Sequence, residues 1–367
     1  MKYNSDHRYV ATLDAGGTNF VFSAIQGNEE VVRPIRKTAI PDNLDQCLNV
    51  IKNGFEEVIQ QLPEKPVALS FAFPGPADYA NGIIGDLPNF PSFKGGVPLG
   101  PFLENEFNIP VFINNDGSLF AYGEALAGAL SDINRLLKEK GSSRGYNNLL
   151  GVTLGTGFGG GAVVNQELVL GDNACGGDVW VFRNKKYPKC IVEESVSKRA
   201  VTRVYKELSG DSLKLTPEEI YKVAQGLKAG DREAAVKSFE ELGEMAGDTI
   251  AMANTIIDGI VVIGGGLSGA YEYILPAMVK ELNHSISTLN GEVFPRSQAQ
   301  VYNLMDKEQL DLFLQDGIVE LKIPGSHRTV PYMAEKKTGI VVSKLGASKA
   351  ISLGAYAYAL HQIDSMK

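Results

Sequence analysis

The sequence holds little cysteine, tryptophan or histidine: three Cys, one Trp and four His in 367 residues. Cys47, Cys175 and Cys190 are too few for a disulfide framework and form no C-x-x-C pair, so reduced thiols and a cytoplasmic address are expected. No apolar run approaches the ~18 residues needed to span a bilayer, and Met1 to Arg8 is polar where a secretory signal would have an apolar core. A membrane partner is therefore not expected. An excess of positive charge is missing too. Lys+Arg number 35 against 43 Asp+Glu, a formal charge of −8 with no basic run, so the chain as a whole repels a phosphate backbone and nucleic acid is not an expected partner.

What is present is globular material, 44% hydrophobic and 21% charged. The length favours two domains, with a ligand cleft between them. Glycine is in excess, 40 residues or about 11% against a usual level near 7%. It clusters at Asp14 to Asn19 (DAGGTN), Leu154 to Gly161 (LGTGFGGG) and Gly264 to Gly269 (GGGLSG), each directly after a run that reads as a buried strand.

Tyr9 to Ile25 reads as two strands joined by a glycine-rich tip, and Asn43 to Gln61 carries apolar residues at helical spacing, ending before Pro63. Val67 to Phe73 and Val111 to Ile113 read as short buried strands that stop in polar loops. Ser118 to Leu130 reads as a helix, and Lys138 to Asn148 as a polar break. Leu149 to Val164 then repeats the plan of the first hairpin, which points to a duplicated architecture. Thr216 to Lys228 and Asp231 to Asn254 are helical. Ile260 to Ile263 is a strand entering Gly264-Gly265-Gly266, with a helix from about Gly269 or Tyr271. Gln298 to Ile340 has no clear periodicity and reads as an added subdomain or extended loops, in which His327, Arg328, Lys336 and Lys337 are solvated. Ala347 to Gln362 is helical.

Glycine turns let backbone N–H groups converge on phosphate oxygens, and neighbouring Thr hydroxyls add donors. Two Thr/Gly tips facing one another would hold a polyphosphate from both sides, while Asp14 offers a carboxylate to a hydrated Mg²⁺. The spacing fits neither G-x-x-x-x-G-K-[ST] nor a Rossmann G-x-G-x-x-G. Asp116, at a strand end, is either a helix N-cap or the base that takes a proton from a hydroxyl attacking a γ-phosphoryl group.

With these residues in view the chain resembles the ROK family of sugar kinases and regulators, within the actin/hexokinase-like ATPases, from about Tyr9 to Tyr358. DAGGTN and LGTGFGGG resemble its two phosphate motifs and IVVIGGGLS (Ile260 to Ser268) its adenosine motif. FPGPAD (Phe73 to Asp78), LPNFP (Leu87 to Pro91) and NNDGSLFAYGEA (Asn114 to Ala125) resemble its sugar-side segments.

The resemblance implies an α/β fold of two actin-like (ribonuclease H-like) domains with an interdomain active-site cleft. Residues 1–125, completed by 347–367, form the first domain, and 126–346, with an insert around 298–340, the second. It implies an ATP-dependent hexose kinase, glucokinase-like, with Asp116 as general base, Mg²⁺ accompanying ATP, and a homodimer. Asp14, Gly16, Gly17, Thr18, Asn19, Gly155, Thr156, Gly157, Gly264, Gly265, Gly266 and Leu267 fall on the nucleotide side. Asn89, Asn115, Asp116, Asp178 and Glu193 fall on the sugar side.

The chain departs from the family where a Glu-x-Gly-His segment and a cysteine-rich zinc loop are usual. Asp178 stands in place of the Glu, no His follows, and only Cys175 and Cys190 are near, against the four ligands zinc needs, so no zinc is expected. Trp180 is either a stacking wall for a sugar or a core residue. Fructose, mannose or an N-acetylhexosamine are alternative substrates. A non-catalytic sugar sensor is the alternative of another class, disfavoured because only 13 residues precede Asp14, too few for a DNA-binding helix-turn-helix.

Overall fold

The computed structural model describes residues 3–15, 19–75, 77–87, 90–210 and 214–366. Gly16, Gly17, Thr18 and Asn89, all candidate ligand residues, lie outside the described residues. The chain divides into two compact units, Met1–Ser131 with Gly161–Gly177 and Lys344–Lys367, and Asp132–Gly160 with Asp178–Ser343.

In the first unit, β1 (Val10–Ala15) and β2 (Asn19–Gln26) pair antiparallel from Val10↔Ile25 to Ala15↔Phe20. Short β3 (Glu29–Glu30) and β4 (Ile35–Thr38) flank β2. Asn43 caps α1 (Leu44–Ile59) by accepting from the Gln46 amide, and Cys47, Ile51, Phe55 and Val58 bury one face, the 3.6-residue pattern of an amphipathic helix. Strand β5 (Ala68–Ala72), buried along its length, runs parallel to β1. The small ladder β6 (Ala77–Asp78) and β7 (Ile83–Ile84) precedes α2 (Leu99–Phe107) and β8 (Val111–Asn114), which is parallel to β5. The sheet order is β3-β2-β1-β5-β8 with β4 also on β2, so Asp14 and Asn114 both end at its carboxyl edge, where ligands of parallel α/β sheets gather. A phenylalanine core backs it: Phe20 and Phe90 stack at 6.0 Å, and Phe73 and Phe93 at 5.6 Å.

Helices α3 (Asp116–Leu126) and α4 (Ala129–Glu139) follow. The fully buried carboxylate of Glu124 accepts the Ala129 amide at 2.8 Å, fixing the corner between them.

β9 (Leu149–Leu154), in the second unit, leads through a turn into β10 (Phe158–Val164), whose residues from Gly161 on fall, with β11 (Glu167–Leu168), in the Gly161–Gly177 segment of the first unit. Helices α5 (Lys198–Ser209), α6 (Pro217–Ala224) and α7 (Arg232–Ile257) precede β12 (Ile260–Gly264) and α8 (Tyr271–Leu282). The hairpin β13 (Ser285–Ser287) and β14 (Val293–Pro295) leads to β15 (Gln300–Asn303) and α9 (Lys307–Leu314). A second hairpin, β16 (Ile318–Lys322) and β17 (Thr329–Met333), precedes β18 (Lys337–Val342). The sheet order β11-β10-β9-β12-β18-β15 places β9, β12, β18 and β15 parallel.

The segment read from sequence as a subdomain or loops is therefore largely core sheet at both ends, and the added material is the hairpin between them. Lys337 is also not solvated. Its side chain is 5% exposed, and its Nζ donates to the carbonyls of Leu312 (2.8 Å) and Gln315 (3.1 Å) and lies over the Tyr302 ring.

The final helix, α10 (Ala347–Ser365), packs on α3 in the first unit. At their crossing a Cβ on Gly123 would strike the Ala350 carbonyl and one on Gly354 the Leu119 carbonyl, so both glycines exist for backbone approach. That crossing fixes the helix whose first residue is Asp116.

Candidate active site

In the first unit the chain turns from β8 into α3 at Asn115 and Asp116. Sequence spacing left Asp116 as a possible N-cap with the helix starting after it; instead Asn115 is the cap and Asp116 the first helical residue. The Asn115 side-chain oxygen accepts from the Gly117 amide at 2.8 Å and the Ser118 amide at 3.4 Å, which leaves Nδ2 as the donor of that side chain. Asp116 is thereby released from capping duty for chemistry.

Water reaches the Asp116 carboxylate, yet the protein around it crowds out enough solvent to push its pKa above the ordinary aspartate value. The Gly117 amide, 2.9 Å from Oδ1, opposes this, and the negative charge of Asp14 adds to it. A carboxylate held as a stronger base than usual, and still open to solvent, suits proton removal from a substrate hydroxyl.

In the second unit the Gly155-Thr156-Gly157 turn is held from three sides. The Gly155 amide donates to the Gly157 carbonyl at 3.0 Å, the Lys198 amide at the start of α5 donates to the Gly155 carbonyl at 2.8 Å, and the Phe158 amide donates to Glu193 Oε2 at 3.0 Å. A Cβ on Gly157 would fall 2.5 Å from that same oxygen. The amides of Gly155 and Phe158 are thus taken, those of Thr156 and Gly157 make no bond among the described residues, and the Thr156 side chain is exposed.

At the third cluster, Gly265 adopts φ +86° against the Leu154 backbone, a conformation and a space that suit glycine. Its carbonyl accepts from the Ser268 hydroxyl at 2.7 Å, Leu267 is buried, and Gly266 faces open space.

The two carboxylates expected on the sugar side differ. Asp178 is half-buried, and burial raises its pKa against the lowering effect of a hydrogen bond from Trp180. Glu193 has both oxygens engaged, Oε2 by Phe158 and Oε1 by Arg199 at 3.0 Å. Trp180 is 39% exposed, which removes the core reading. Arg199 was not singled out from sequence, and nothing in its polar surroundings marks it. Lys198 was not singled out either, although Ser197, directly before it, is a residue type that marks helix starts.

Cys175 and Cys190 are exposed free thiols, and the buried Cys47 thiol is pushed up to about 11 by desolvation. Among the described residues no helix is long and apolar enough to cross a membrane.

The family model described as "ROK family" matches residues 10–301. A solved structure of a glucokinase from Parabacteroides distasonis is 59% identical, superposes with a TM-score of 0.89 and covers 98% of this chain and 99% of its own. A glucokinase from Thermotoga maritima is 26% identical over 73% of this chain and 88% of its own length. An N-acetyl-D-glucosamine kinase from Photobacterium profundum is 28% identical over 74% and 88%.

Proposed function

The chain belongs to the ROK family, and on that premise we propose that it transfers the γ-phosphoryl group of ATP to the 6-hydroxyl of a hexose, with glucose as the preferred acceptor. The observation that carries this reading is Asp116: a solvent-reachable carboxylate at the first turn of α3, freed by the Asn115 cap and made more basic by its surroundings.

Asp116 accepts the proton of the attacking hydroxyl, and the Nδ2 of Asn115 donates to a neighbouring sugar oxygen. Asn89, Asp178 and Glu193 complete the sugar's partners. The amides of Thr156 and Gly157 bind phosphate oxygens, as do Gly16, Gly17, Thr18 and Asn19. Gly264, Gly265, Gly266 and Leu267 take the adenosine end. Such a site works mainly by positioning and by excluding water, so that ATP is not hydrolysed idly.

Magnesium is carried in with the nucleotide. One carboxylate, Asp14 at the end of β1, suits a hydrated Mg²⁺ whose other ligands are phosphate oxygens and water. No group of three or more His, Cys, Asp or Glu among the described residues is placed to cage an ion, and that donor set fits a nucleotide-borne metal. When bound, the ion offsets the charge on the phosphates during transfer.

The glucokinase similarity over nearly the whole chain favours glucose. The N-acetylglucosamine kinase relatives supply the second reading, an N-acetylhexosamine. Incubating the protein with Mg-ATP and glucose and assigning the product by ³¹P NMR tests both the acceptor and the position. A 6-phosphate ester is expected; a different position, or product only with N-acetylhexosamines, overturns the glucose assignment.

A further inference from the structure

We propose that Asn184 is a positioning residue for nucleotide binding, acting through Glu193 on the Gly155-Thr156-Gly157 turn. The proposal rests on reading that turn as a phosphate-binding element.

Asn184 is fully buried, and a polar side chain at that depth is costly unless each of its groups is paired. Its Oδ1 accepts from the Lys186 amide at 3.0 Å and the Tyr187 amide at 2.9 Å. Its Nδ2 donates to the Ser195 hydroxyl at 2.9 Å and to the Ile191 carbonyl at 3.3 Å. The Asn184 backbone amide donates to the Cys190 carbonyl at 3.0 Å, beside the antiparallel bridge Arg183↔Ile191. Two donors and one two-fold acceptor are what a carboxamide offers, so the whole capacity of the side chain is spent inside this segment.

The partners of Nδ2 show what is being held. Ile191 and Ser195 flank the 3₁₀ turn Val192–Glu194, so one amide group spans the turn that carries Glu193. Within that span Val192 is fully buried, and the Glu193 carbonyl accepts from the Ser197 hydroxyl at 2.8 Å and the Val196 amide at 3.2 Å. With its backbone fixed in this way, Glu193 brings Oε2 to 3.0 Å from the Phe158 amide, directly after the glycine turn. The path from Asn184 to that turn is short and lies within one unit.

The outer side of the segment is held more weakly. Lys185 Nζ reaches Glu244 of α7 at 2.9 Å and Glu281 of α8 at 3.0 Å, and Lys186 Nζ reaches Glu241 of α7 at 2.8 Å. Both lysine side chains are exposed, and ion pairs of that kind contribute little. The placement of Glu193 therefore depends on the buried amide and not on the lysines.

The test is a double-mutant cycle on the full chain, read by calorimetric titration with Mg²⁺ and the non-hydrolysable ATP analogue AMPPNP, with thermal melts run on every variant. Asn184→Ala is expected to weaken nucleotide binding by about tenfold, and Lys186→Ala to leave it unchanged. Asn184→Ala/Glu193→Ala is expected to bind within about twofold of Glu193→Ala alone, because the group through which Asn184 acts is already gone. A merely structural role would lower the melting temperature without that dependence on Glu193. Ser195→Ala removes one partner of Nδ2 and leaves the rest, so it is expected to weaken binding by a smaller factor, and its own cycle with Glu193→Ala decides the matter should Asn184→Ala not fold. Folded Asn184→Ala or Ser195→Ala with wild-type nucleotide affinity, or losses that multiply with that of Glu193→Ala, overturns the proposal. A wild-type protein that binds no AMPPNP overturns instead the phosphate reading of the turn, and the proposal with it.

Discussion

The Oε2 of Glu193 lies 3.0 Å from the Phe158 amide, and its Oε1 lies 3.0 Å from an Arg199 guanidinium nitrogen. One carboxylate expected on the sugar side is thus also the prop of the glycine turn expected on the phosphate side. Charge-assisted hydrogen bonds of this kind contribute about 1.5–3 kcal/mol, so Glu193→Ala is expected to raise the KM for Mg-ATP by about tenfold or more as well as that for the sugar. Asp178→Ala has no tie to the turn and is expected to raise the sugar KM alone. Steady-state kinetics with each substrate varied separates the two; an unchanged nucleotide KM in Glu193→Ala contradicts the propping role.

Gly157 and Gly155 differ in what a methyl group meets. At Gly157 it would run into Glu193 Oε2; at Gly155 nothing lies within 4 Å. Gly157→Ala is expected to lower the melting temperature by several degrees, in keeping with the ~1–3 kcal/mol cost of overpacking, while Gly155→Ala leaves it nearly unchanged. Thermal melts of the ligand-free variants decide this, and equal losses contradict it.

Asp116 gives a pH dependence with a definite sign. Its pKa is raised in the folded protein, so the folded state holds this proton more tightly than the unfolded chain, and its contribution to stability declines as pH rises from the ordinary Asp value near 3.9 through the raised one. At neutral pH the charged carboxylate therefore costs stability. Asp116→Asn is expected to melt slightly higher at pH 7, with no such gain at acid pH, while turnover falls by about 10²-fold or more, the scale of a lost general base. In the wild type, kcat/KM is expected to fall on the acid side with an apparent pKa above that of a free aspartate. A variant that melts lower at pH 7, or keeps its turnover, is inconsistent with this placement.

The crossing of α3 and α10 supports the same residue from behind. Gly354→Ala would drive a methyl group into the Leu119 carbonyl, with an expected loss of about 1–3 kcal/mol and reduced turnover without contact with any substrate. A denaturant titration measures the first and a kinase assay the second; an unaffected midpoint would show the crossing to be slack.

Much of this arrangement was legible in the sequence, because glycine clusters after apolar strands have few other uses. The paired strands of the first hairpin, the second hairpin, the strand before Gly264 and a helix after Asn115 stand where the pattern put them. The start of α3 did not: Asn and Asp are equally good caps, and only the hydrogen bonds of Asn115 show which one serves. The stretch from Gln298 to Ile340 was misread for another reason. The strands Gln300–Asn303 and Lys337–Val342 are short, and the exposed hairpin between them breaks the periodicity that would have linked them to one sheet. Lys337 read as solvated because its carbonyl partners come from the end of α9 and the residue after it, a tertiary fact with no local signal.

The proposed kinase chemistry turns on Asp116 taking the proton from a hexose hydroxyl. The most direct test is coupled ADP release with Mg-ATP over glucose, fructose, mannose, N-acetylglucosamine and N-acetylmannosamine, run beside Asp116→Ala. Sugar-dependent ADP release, fastest with glucose, is expected to fall by orders of magnitude in the variant while sugar binding partly survives; release that is independent of sugar, or that persists in Asp116→Ala, contradicts this role of Asp116.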